Sequence, residues 1–368
     1  MSPIRVLCVF SSLNRGGAES MCMNLYRNID RSKVQFDFVK HTHSKCSFED
    51  EIINLGGRIY EAPRYKIYNY FQYRSWWIRH LKAHPEHQII HGHFFTISAV
   101  YFRFAREMNR LTIGHSHSAK PGNGSLKSIM KAHSMKKVER LASYCFACSE
   151  DAGKWLYPHR KFKVINNAID AKAFTYDEEK RKKIRDEFGI KEEFVVGHVG
   201  NFAPVKNHTF LVDVFKVIHD RNPNSKLIMV GGNDHKAIEE KVKGLGMSDS
   251  VIFTGVRSDI ADILQSFDVF VFPSIDEGLG MVAIEAQAAG LYTICSDVVP
   301  SETRITNLII FVSLGKSASE WADIVLKYNT GYKREDTSEQ IQRACYDIHT
   351  TAKLIEKFYT SVSKRGKK

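Results

Sequence analysis

Residues 269–286 read VFVFPSIDEGLGMVAIEA. The first four of them are apolar, and a run of this length predicts one buried β-strand. A polar loop with two glycines follows, and the residues beyond it predict a helix that begins at about Met281. A buried strand that leads through a glycine loop into a helix is the unit of parallel α/β sheets. This stretch therefore predicts an α/β fold in which the same unit recurs.

The unit recurs from one end of the chain to the other. Short apolar runs predict a first series of strands at residues 4–10, 36–39, 88–91, 111–113, 144–147 and 163–165. They predict a second series at residues 194–199, 226–230, 251–254, 269–272 and 292–295. Amphipathic stretches predict helices between the strands, among them residues 18–28, 70–83, 98–108 and 127–141. Because parallel strands need crossover connections, we expect two parallel sheets with helices on both faces.

Length and composition agree with two domains. The chain has 368 residues, of which 43% are hydrophobic and 26% are charged, as in soluble globular proteins. We predict Rossmann-like domains at residues 1–170 and 171–343, with the charged segment 176–191 near their boundary. In residues 344–368 apolar side chains recur at spacings of three and four, which predicts a helix followed by a basic tail. We expect this helix to pack back toward the first domain.

Several features favour a cytoplasmic protein. No apolar run reaches the roughly 18 residues that cross a bilayer, and the first residues lead into a strand rather than a signal peptide. The seven cysteines are scattered and odd in number. Free thiols in a reducing compartment are therefore expected rather than a disulfide framework.

The positive charge of the chain lies in its first half. Residues 1–165 hold 26 Lys and Arg against 12 Asp and Glu, whereas the remainder holds 27 against 29. Such a surface favours contact with an anionic membrane or with nucleic acid, although a basic face that only aids solubility would give the same count.

Two glutamates in the opening stretch have a spacing that suits ligand binding. Glu277 lies in the loop, and Glu285 lies about one turn into the predicted helix. Carboxylates at these places can accept hydrogen bonds from the hydroxyl groups of a sugar and a ribose. Gly278 and Gly280 leave room for backbone amides to reach a phosphate at the helix start. Taken singly, each glutamate is better explained as a helix cap or as a side chain on the solvent face of the helix.

Each predicted domain also opens with a strand that runs into a polar loop. The first reads VFSSLNRGGAE at residues 9–19, where Gly16 and Gly17 precede a helix and point backbone amides toward negative charge. The second reads VGNFAPVKN at residues 199–207, where Lys206 is placed to neutralise a phosphate. In an open α/β sheet, ligands bind at such strand ends. An ordinary turn and a solvated lysine remain alternatives for each loop on its own.

Taken together, these segments resemble glycosyltransferase family 4, whose members are retaining enzymes of the GT-B fold. The E-x7-E pair Glu277 and Glu285 resembles the donor-site motif of the family. Four further segments resemble family motifs in the expected order: residues 16–19 (GGAE), 115–117 (HSH), 166–170 (NNAID) and Lys206. The resemblance spans essentially the whole chain, and it includes a resemblance to bacterial capsule and exopolysaccharide glycosyltransferases. It implies two Rossmann-like domains that face each other across a cleft, with the acceptor on the first and a nucleotide-sugar donor on the second.

The resemblance also implies roles for individual residues. Lys206 would bind the donor pyrophosphate, Glu285 the ribose, and Glu277 the donor sugar. The backbone from Gly280 through Met281 to Val282, next to Gly278, would lie near sugar and phosphate. His117 would lie near the reacting sugar, and Gly16 and Gly17 near phosphate and acceptor. The catalytic residues expected from the resemblance are His117, Glu277 and Lys206.

One departure from the family concerns phosphate binding. The family usually has an arginine where Asn201 stands, so one phosphate contact is missing or supplied elsewhere, for which Arg15 is available. Ala168 replaces a usual glycine, which affects only a turn. The departure at Asn201 keeps an inactive partner subunit among the alternatives.

No cofactor and no metal are expected. The chain has no Asp-x-Asp motif, with which many sugar transferases of the other main fold hold a divalent metal. Lys206 and helix N-termini would neutralise the leaving nucleoside diphosphate instead. Because no carboxylate stands out as a covalent nucleophile, front-face attack by the acceptor with retention is the expected mechanism.

Basic and aromatic residues alternate in segment 64–82, as in proteins that contact membrane headgroups. A second basic stretch covers residues 127–140. We predict a peripheral membrane surface and a lipid-linked or polysaccharide acceptor, with contacts from Arg74, Trp76, Trp77, Arg79, Lys127 and Lys131. The two tryptophans are explained about as well as core residues of one helix.

Two other functions remain open. A nucleotide-sugar epimerase could use the same scaffold without an acceptor, although it is not expected to combine the E-x7-E pair with Lys206. A nucleic-acid-binding protein could use the basic half. No zinc finger or RNA-binding signature accompanies that half, so nucleic acid is not an expected partner.

Overall fold

A computed structural model describes residues 2–93, 95–117 and 137–365. The chain divides into two compact units. The first contains residues up to Ile169 together with the segment that begins at Ile348, and the second runs from Asp170 to Asp347. Among the described residues, no helix is both long enough and apolar enough to span a bilayer.

The first unit is built on a parallel sheet of seven strands. Its strands are β1 (Ile4–Val9), β2 (Val34–Lys40), β3 (Ile59–Glu61), β4 (Ile89–Gly92), β5 (Leu111–Ser116), β6 (Tyr144–Ala147) and β7 (Lys163–Val164). They are ordered β3-β2-β1-β4-β5-β6-β7, so the direction of winding reverses between β1 and β4. The pairing of β1 with both neighbours is parallel, and it places Cys8 opposite His91.

Helices cover both faces of this sheet. They are α1 (Gly17–Asn28), α2 (Glu49–Asn54), α3 (Tyr70–Ala83), α4 (Phe95–Glu107) and α5 (Glu150–Leu156), with a 3-10 turn at Ile67–Asn69. Side chains alternate along a strand, so Cys8 packs in one apolar core with Met23 of α1, while Val9 packs in the opposite core with Trp77 of α3. Continuous apolar strands are what a sheet buried on both faces requires.

The last helix of the chain, α14 (Ile348–Arg365), belongs to the first unit. Ile355, Tyr359 and Val362 pack in the same core as α1, and the Tyr359 hydroxyl lies 2.6 Å from His91 Nδ1. The chain therefore closes its first unit with residues that are more than 170 positions further on.

The second unit repeats the architecture with six parallel strands. They are β8 (Phe194–Val199), β9 (Ser225–Val230), β10 (Val251–Gly255), β11 (Val269–Phe272), β12 (Thr293–Ser296) and β13 (Ile309–Val312). Their order, β10-β9-β8-β11-β12-β13, again reverses at the middle of the sheet, between β8 and β11. The helices are α6 (Ala171–Phe174), α7 (Glu178–Glu187), α8 (His208–Arg221), α9 (Lys236–Gly244), α10 (Ile260–Ser266), α11 (Met281–Ala288), α12 (Ala318–Val325) and α13 (Ser338–Arg343).

The predicted α/β class with two parallel Rossmann-like sheets is confirmed. The strands β3 and β13 were not predicted. β3 has only three residues, whereas the apolar run of β13 between two polar loops was a usable signal that the prediction missed. The helix predicted at residues 127–141 lies mostly outside the described residues.

One buried carboxylate stabilises the first sheet from β2, the strand next to its edge. Asp37 of β2 is fully buried and accepts hydrogen bonds from Arg5 Nε at 2.6 Å, His87 Nε2 at 2.8 Å and the Arg58 amide at 2.8 Å. Burial alone would raise the pKa of this carboxyl, but the bonds from Arg5 and His87 outweigh it and lower the pKa to about 2.

We expect Asp37→Ala to lower the free energy of unfolding of the first unit by about 3 kcal/mol, because Arg5 and His87 lose their buried partner. In the wild type this contribution is complete above pH ~4, the ordinary range of an aspartate, and disappears as the pH falls toward 2. Urea unfolding at pH 7 measures the change. The matched control is Glu51→Ala, whose ion pair with Arg27 is more than a third exposed, with an expected loss below about 1 kcal/mol. Equal losses in both variants would contradict this account.

Candidate active site

The strand order of the second sheet creates a crevice. The chain leaves β8 toward one edge of the sheet and leaves β11 toward the other, so the two loops that follow these strands diverge. Open α/β sheets bind ligands at this switch point, outside the carboxyl ends of the strands. The loop after β8 contains Asn201 and Lys206, and the loop after β11 contains Glu277 and Gly278.

The two loops are joined by a backbone hydrogen bond and an ion pair. The Ile275 amide donates to the Val205 carbonyl at 2.8 Å. Next to this bond, Lys206 Nζ forms an ion pair with Glu277 Oε2, and both side chains are largely buried. Lys206 Nζ also lies 4.8 Å from the centre of the Phe272 ring. The structure therefore brings together Lys206 and Glu277, which are 71 positions apart in the sequence.

The backbone at Gly280 sets the start of helix α11. Gly280 has a φ of +80°, in the left-handed region, and immediately precedes Met281, the first residue of the helix. A Cβ at this position would lie 3.3 Å from Glu277 Cγ. Around Gly278 the space is open, and a Cβ there would meet nothing within 4 Å. Of these two glycines, only Gly280 is required by the local backbone conformation.

Helix α11 carries the other residues predicted for this site. Met281 and Val282 lie in its first turn, and both are half-buried. Glu285 lies one turn further along, and burial raises the pKa of its carboxyl to about 7. At neutral pH this carboxyl exchanges between a form that accepts hydrogen bonds only and a form that also donates one.

Asn201 has a structural contact. Its side-chain oxygen accepts a hydrogen bond from the Gly232 amide at 3.3 Å, which links the loop after β8 to the loop after β9. The two loops approach closely, since a Cβ on Gly231 would come within 2.0 Å of the Gly200 carbonyl oxygen. Asn201 is exposed and polar but brings no positive charge to the crevice.

The first sheet has the equivalent switch point between β1 and β4. Gly16 and Gly17 lie at the start of α1, after β1, and the Gly16 carbonyl accepts from the Ser20 amide at 2.8 Å. His117 follows β5 directly. These residues lie in the first unit, whereas Lys206, Glu277 and Glu285 lie in the second.

Four histidine rings are clustered at the carboxyl ends of β4 and β5. His93 Nδ1 lies 2.8 Å from His117 Nε2, and His91 Nε2 lies 3.2 Å from His115 Nδ1. His91 also contacts Tyr359, so helix α14 takes part in the cluster. Burial lowers the pKa of His91 and His117 to about 3, and it lowers the pKa of His93 and His115 well below the ordinary value. The cluster is therefore uncharged at neutral pH.

Sequence reasoning identified His117 but not His91, His93 or Tyr359. The two missed histidines occupy the end of β4, as His115 and His117 occupy the end of β5. Paired histidines at the ends of neighbouring predicted strands were a usable signal. No signal in the sequence indicated the contact of Tyr359, because this residue lies 268 positions beyond His91.

Some of these residues have the donor atoms of a metal site. Among the described residues, two buried groups bring nitrogen or sulphur atoms within 4.8 Å of one another: Cys8, Cys22 and His93, and His91, His93 and His115. In the second group His91 uses both ring nitrogens in hydrogen bonds, which a metal ion would have to replace. The prediction that no metal is needed stays a prediction.

The four residues of α3 predicted to contact a membrane do not share one surface. Arg74 is exposed and pairs with Glu107 at 2.7 Å, and Arg79 is exposed. Trp76 is half-buried and stacks on His80. Trp77 is fully buried, so its predicted membrane contact is wrong and its core interpretation is right, because the opposite face of α3 points to solvent. Lys127 and Lys131 lie outside the described residues.

Comparison with protein families matches both halves of the chain. The model of Glycosyltransferase Family 4 matches residues 15–173, and that of Glycosyl transferases group 1 matches residues 180–341. EpsF of Bacillus subtilis (strain 168), which is named as a glycosyltransferase, is 32% identical over 371 residues and covers 96% of both chains. The capsular polysaccharide biosynthesis glycosyltransferase CapH of Staphylococcus aureus is 26% identical over 97% of this chain and 99% of its own.

Solved structures with the same fold include two with full-length coverage. Anabaena HepE in complex with UDP and glucose has a TM-score of 0.76 at 19% identity, and the match covers 97% of this chain and 100% of HepE. A glycosyltransferase from Rickettsia africae has a TM-score of 0.81 at 15% identity and covers 99% and 100%. At these identities the match shows the fold.

We expect Gly280→Ala to lower the free energy of unfolding of the second unit by about 1–2 kcal/mol, because alanine is strained at this φ. Gly278→Ala is the matched control, with no measurable loss, since its surroundings are open. Urea unfolding of both variants checks the expectation. If Gly278→Ala lost as much stability as Gly280→Ala, the backbone explanation would fail.

Proposed function

This chain belongs to the group 1 glycosyltransferases, with a family 4 first domain, and from that membership we propose its reaction in more detail. It transfers a hexosyl group from a UDP-sugar to a lipid-linked or growing polysaccharide acceptor, with retention at the anomeric carbon. The reaction takes place at the inner face of the cell membrane and contributes to a surface polysaccharide.

The observation that carries this proposal is the ion pair of Lys206 with Glu277 at the switch point of the second sheet. A nucleoside diphosphate would compete with Glu277 for the ammonium group of Lys206, because phosphate oxygens are strong partners for a cation. Glu277 would then accept hydrogen bonds from hydroxyl groups of the donor sugar. The pair therefore couples the arrival of the diphosphate to the recognition of the sugar.

In the reaction, the bond between the anomeric carbon and the β-phosphate oxygen breaks, and a bond from an acceptor hydroxyl oxygen to that carbon forms on the same face. The hydroxyl proton passes to the leaving phosphate. Lys206 and the amides at the start of α11 stabilise the negative charge on the diphosphate. The neutral imidazole of His117 hydrogen-bonds a hydroxyl of the reacting sugar. Trapping of a covalent glycosyl-enzyme would contradict this mechanism.

Two relatives support the choice of donor and acceptor. HepE is bound to UDP and glucose, and an Escherichia coli relative named as a UDP-Gal:alpha-D-GlcNAc-diphosphoundecaprenol alpha-1,3-galactosyltransferase is 31% identical over 154 residues. That acceptor is a lipid-linked sugar. CapH adds support for polysaccharide biosynthesis.

The proposed reaction needs no divalent metal. Lys206 supplies a positive charge next to the position proposed for the diphosphate. Glu285 on α11 is proposed to bind the ribose rather than a metal. A nucleotide that binds only when Mg²⁺ is present would contradict this part.

We expect UDP to bind the wild-type chain in the presence of a chelator, and more tightly than GDP or ADP. Lys206→Ala should weaken binding about ten- to a hundredfold, because one charge-assisted contact is lost. Glu285→Ala should weaken binding at least tenfold through loss of the ribose hydroxyl contacts. Isothermal titration calorimetry gives the dissociation constants. Lys216→Ala, a lysine on α8 that pairs with Asp220, is the matched control and should bind like the wild type. If UDP, GDP and ADP all failed to bind the wild type, the donor site would be wrong.

Nucleotide binding should also depend on pH through Glu285. If the carboxylate accepts the ribose hydroxyls, binding tightens as the carboxyl ionises, so the dissociation constant should fall about tenfold between pH 6 and pH 8. Calorimetry across this range measures the trend. The phosphate groups of UDP titrate near pH ~6 as well. Glu285→Gln removes the ionisable carboxyl group, so its dissociation constant for UDP should keep only the weaker pH dependence that the phosphates of UDP produce. Identical pH profiles for both proteins would exclude the role of Glu285.

A further inference from the structure

Three apolar side chains project from the first unit, and we name them the apolar tip: Ile67, Tyr68 and Phe71. Their exposed fractions are 83%, 80% and 82%. Among the residues that the structure describes, these are the three most exposed large apolar side chains. They lie within five positions, at the 3-10 turn before α3 and in the first turn of that helix. Exposed apolar groups that are adjacent in this way mark interaction surfaces more often than isolated ones do.

The tip is held in place by the residues around it. The Lys66 amide donates to the Asn69 side-chain oxygen at 2.7 Å, and the Asn69 side-chain nitrogen donates to the Arg64 carbonyl at 2.9 Å. Tyr65 and Tyr70 flank the turn and pack toward the core, with ring centres 5.1 Å from Tyr73 and 5.6 Å from Phe104. Because the turn is fixed on both sides, the three apolar side chains are presented outward by the fold itself.

Positive charge continues from the tip along α3. Residues 62–85 contain no Asp or Glu. The exposed basic residues of this segment are Arg64, Lys66, Arg74, Arg79 and Lys82. On α3 they occupy the exposed face with Phe71, while Tyr73, Trp77, His80 and Leu81 on the other face are buried. Arg74 is partly neutralised by Glu107, and the other four extend the tip as a basic stripe.

We propose that the apolar tip inserts into the headgroup zone of an anionic bilayer, while Arg64, Lys66, Arg79 and Lys82 face the lipid phosphates. The occupant follows from charge complementarity, since a basic stripe with an apolar end matches a surface of anionic headgroups over apolar chains. Three side chains at the end of one helix can enter such an interface without the broad complementary area that a stable protein partner needs. The aromatic residues that enter the bilayer are thus Tyr68 and Phe71 rather than Trp76 and Trp77.

The proposed membrane surface adjoins a pocket in the same unit. A cavity of about 490 Å³ lies at the carboxyl ends of β1 and β2, where Ser11, Ser12 and His41 line it together with Arg64 and Tyr65. Arg64 and Tyr65 immediately precede the tip, so a headgroup held at the tip is close to this cavity. This step rests on the proposed function: the diphosphate of a lipid-linked acceptor would enter the cavity from the bilayer and meet Arg64.

The test is flotation of the full chain with two kinds of vesicle, one of phosphatidylcholine and one of phosphatidylcholine and phosphatidylglycerol in equal amounts. The wild type should bind the anionic vesicles and be released by high salt. Ile67→Ser with Phe71→Ser should weaken this binding at least tenfold, because two apolar groups no longer enter the interface. Lys66→Gln with Lys82→Gln should weaken it about fivefold for each charge removed.

The matched control is Ile53→Ser with Val256→Ser, two side chains that are 59% and 71% exposed and lie outside the tip. It should bind anionic vesicles like the wild type. Equal loss in this control, unchanged binding of the tip variant, equal binding of the wild type to neutral vesicles, or no binding of the wild type to either vesicle would each overturn the proposal. UDP titration of the wild type and of the tip variant separates the two hypotheses. Failure of UDP to bind the wild type rejects the proposed function and leaves the vesicle result standing, whereas equal UDP binding by both proteins shows that the tip variant is folded.

Discussion

The crevice of the second unit depends on one backbone hydrogen bond, from the Ile275 amide to the Val205 carbonyl. The strand order sends the chain away from β8 and β11 in opposite directions, so the loops after these strands would otherwise separate. The bond holds them together at the carboxyl edge of the sheet. As a result Lys206 and Glu277 can form an ion pair. The left-handed backbone at Gly280 immediately precedes α11, close to Glu277. The strand order thus creates the crevice, and short polar contacts place Lys206 and Glu277 in it.

The corresponding edge of the first sheet has a different electrostatic character. Of its four clustered histidines, His91, His93 and His115 are buried and His117 is half-buried. All four are neutral, since removal of each ring from water lowers its pKa. The second sheet instead holds a cation and carboxylates at its switch point. The edges at the two switch points therefore differ in charge.

Helix α3 shows how one element serves two environments. Trp77 and Leu81 on its inner face bury apolar area against the first sheet, while Phe71, Arg79 and Lys82 on its outer face meet solvent. Helix α14 acts at a distance in the sequence, since Tyr359 reaches His91 and fixes a ring in the cluster. Because α14 follows the second unit in the chain but packs in the first, truncation near the C-terminus would affect the histidine edge directly.

The sequence by itself determined the α/β class, the two series of strands and the E-x7-E pair, because strand and helix periodicities and motif spacings are local properties of the chain. It also indicated Lys206, since the position of a lysine just after a predicted strand is visible in the sequence alone. The tertiary structure decided what depends on contacts between distant residues: the ion pair of Lys206 with Glu277, the cluster of His91 and His93 with His117, and the part played by Tyr359. It also decided that Trp77 is buried and that Ile67 and Phe71 are exposed. A basic aromatic segment has the same composition whichever face it buries, and only packing against the sheet selects that face.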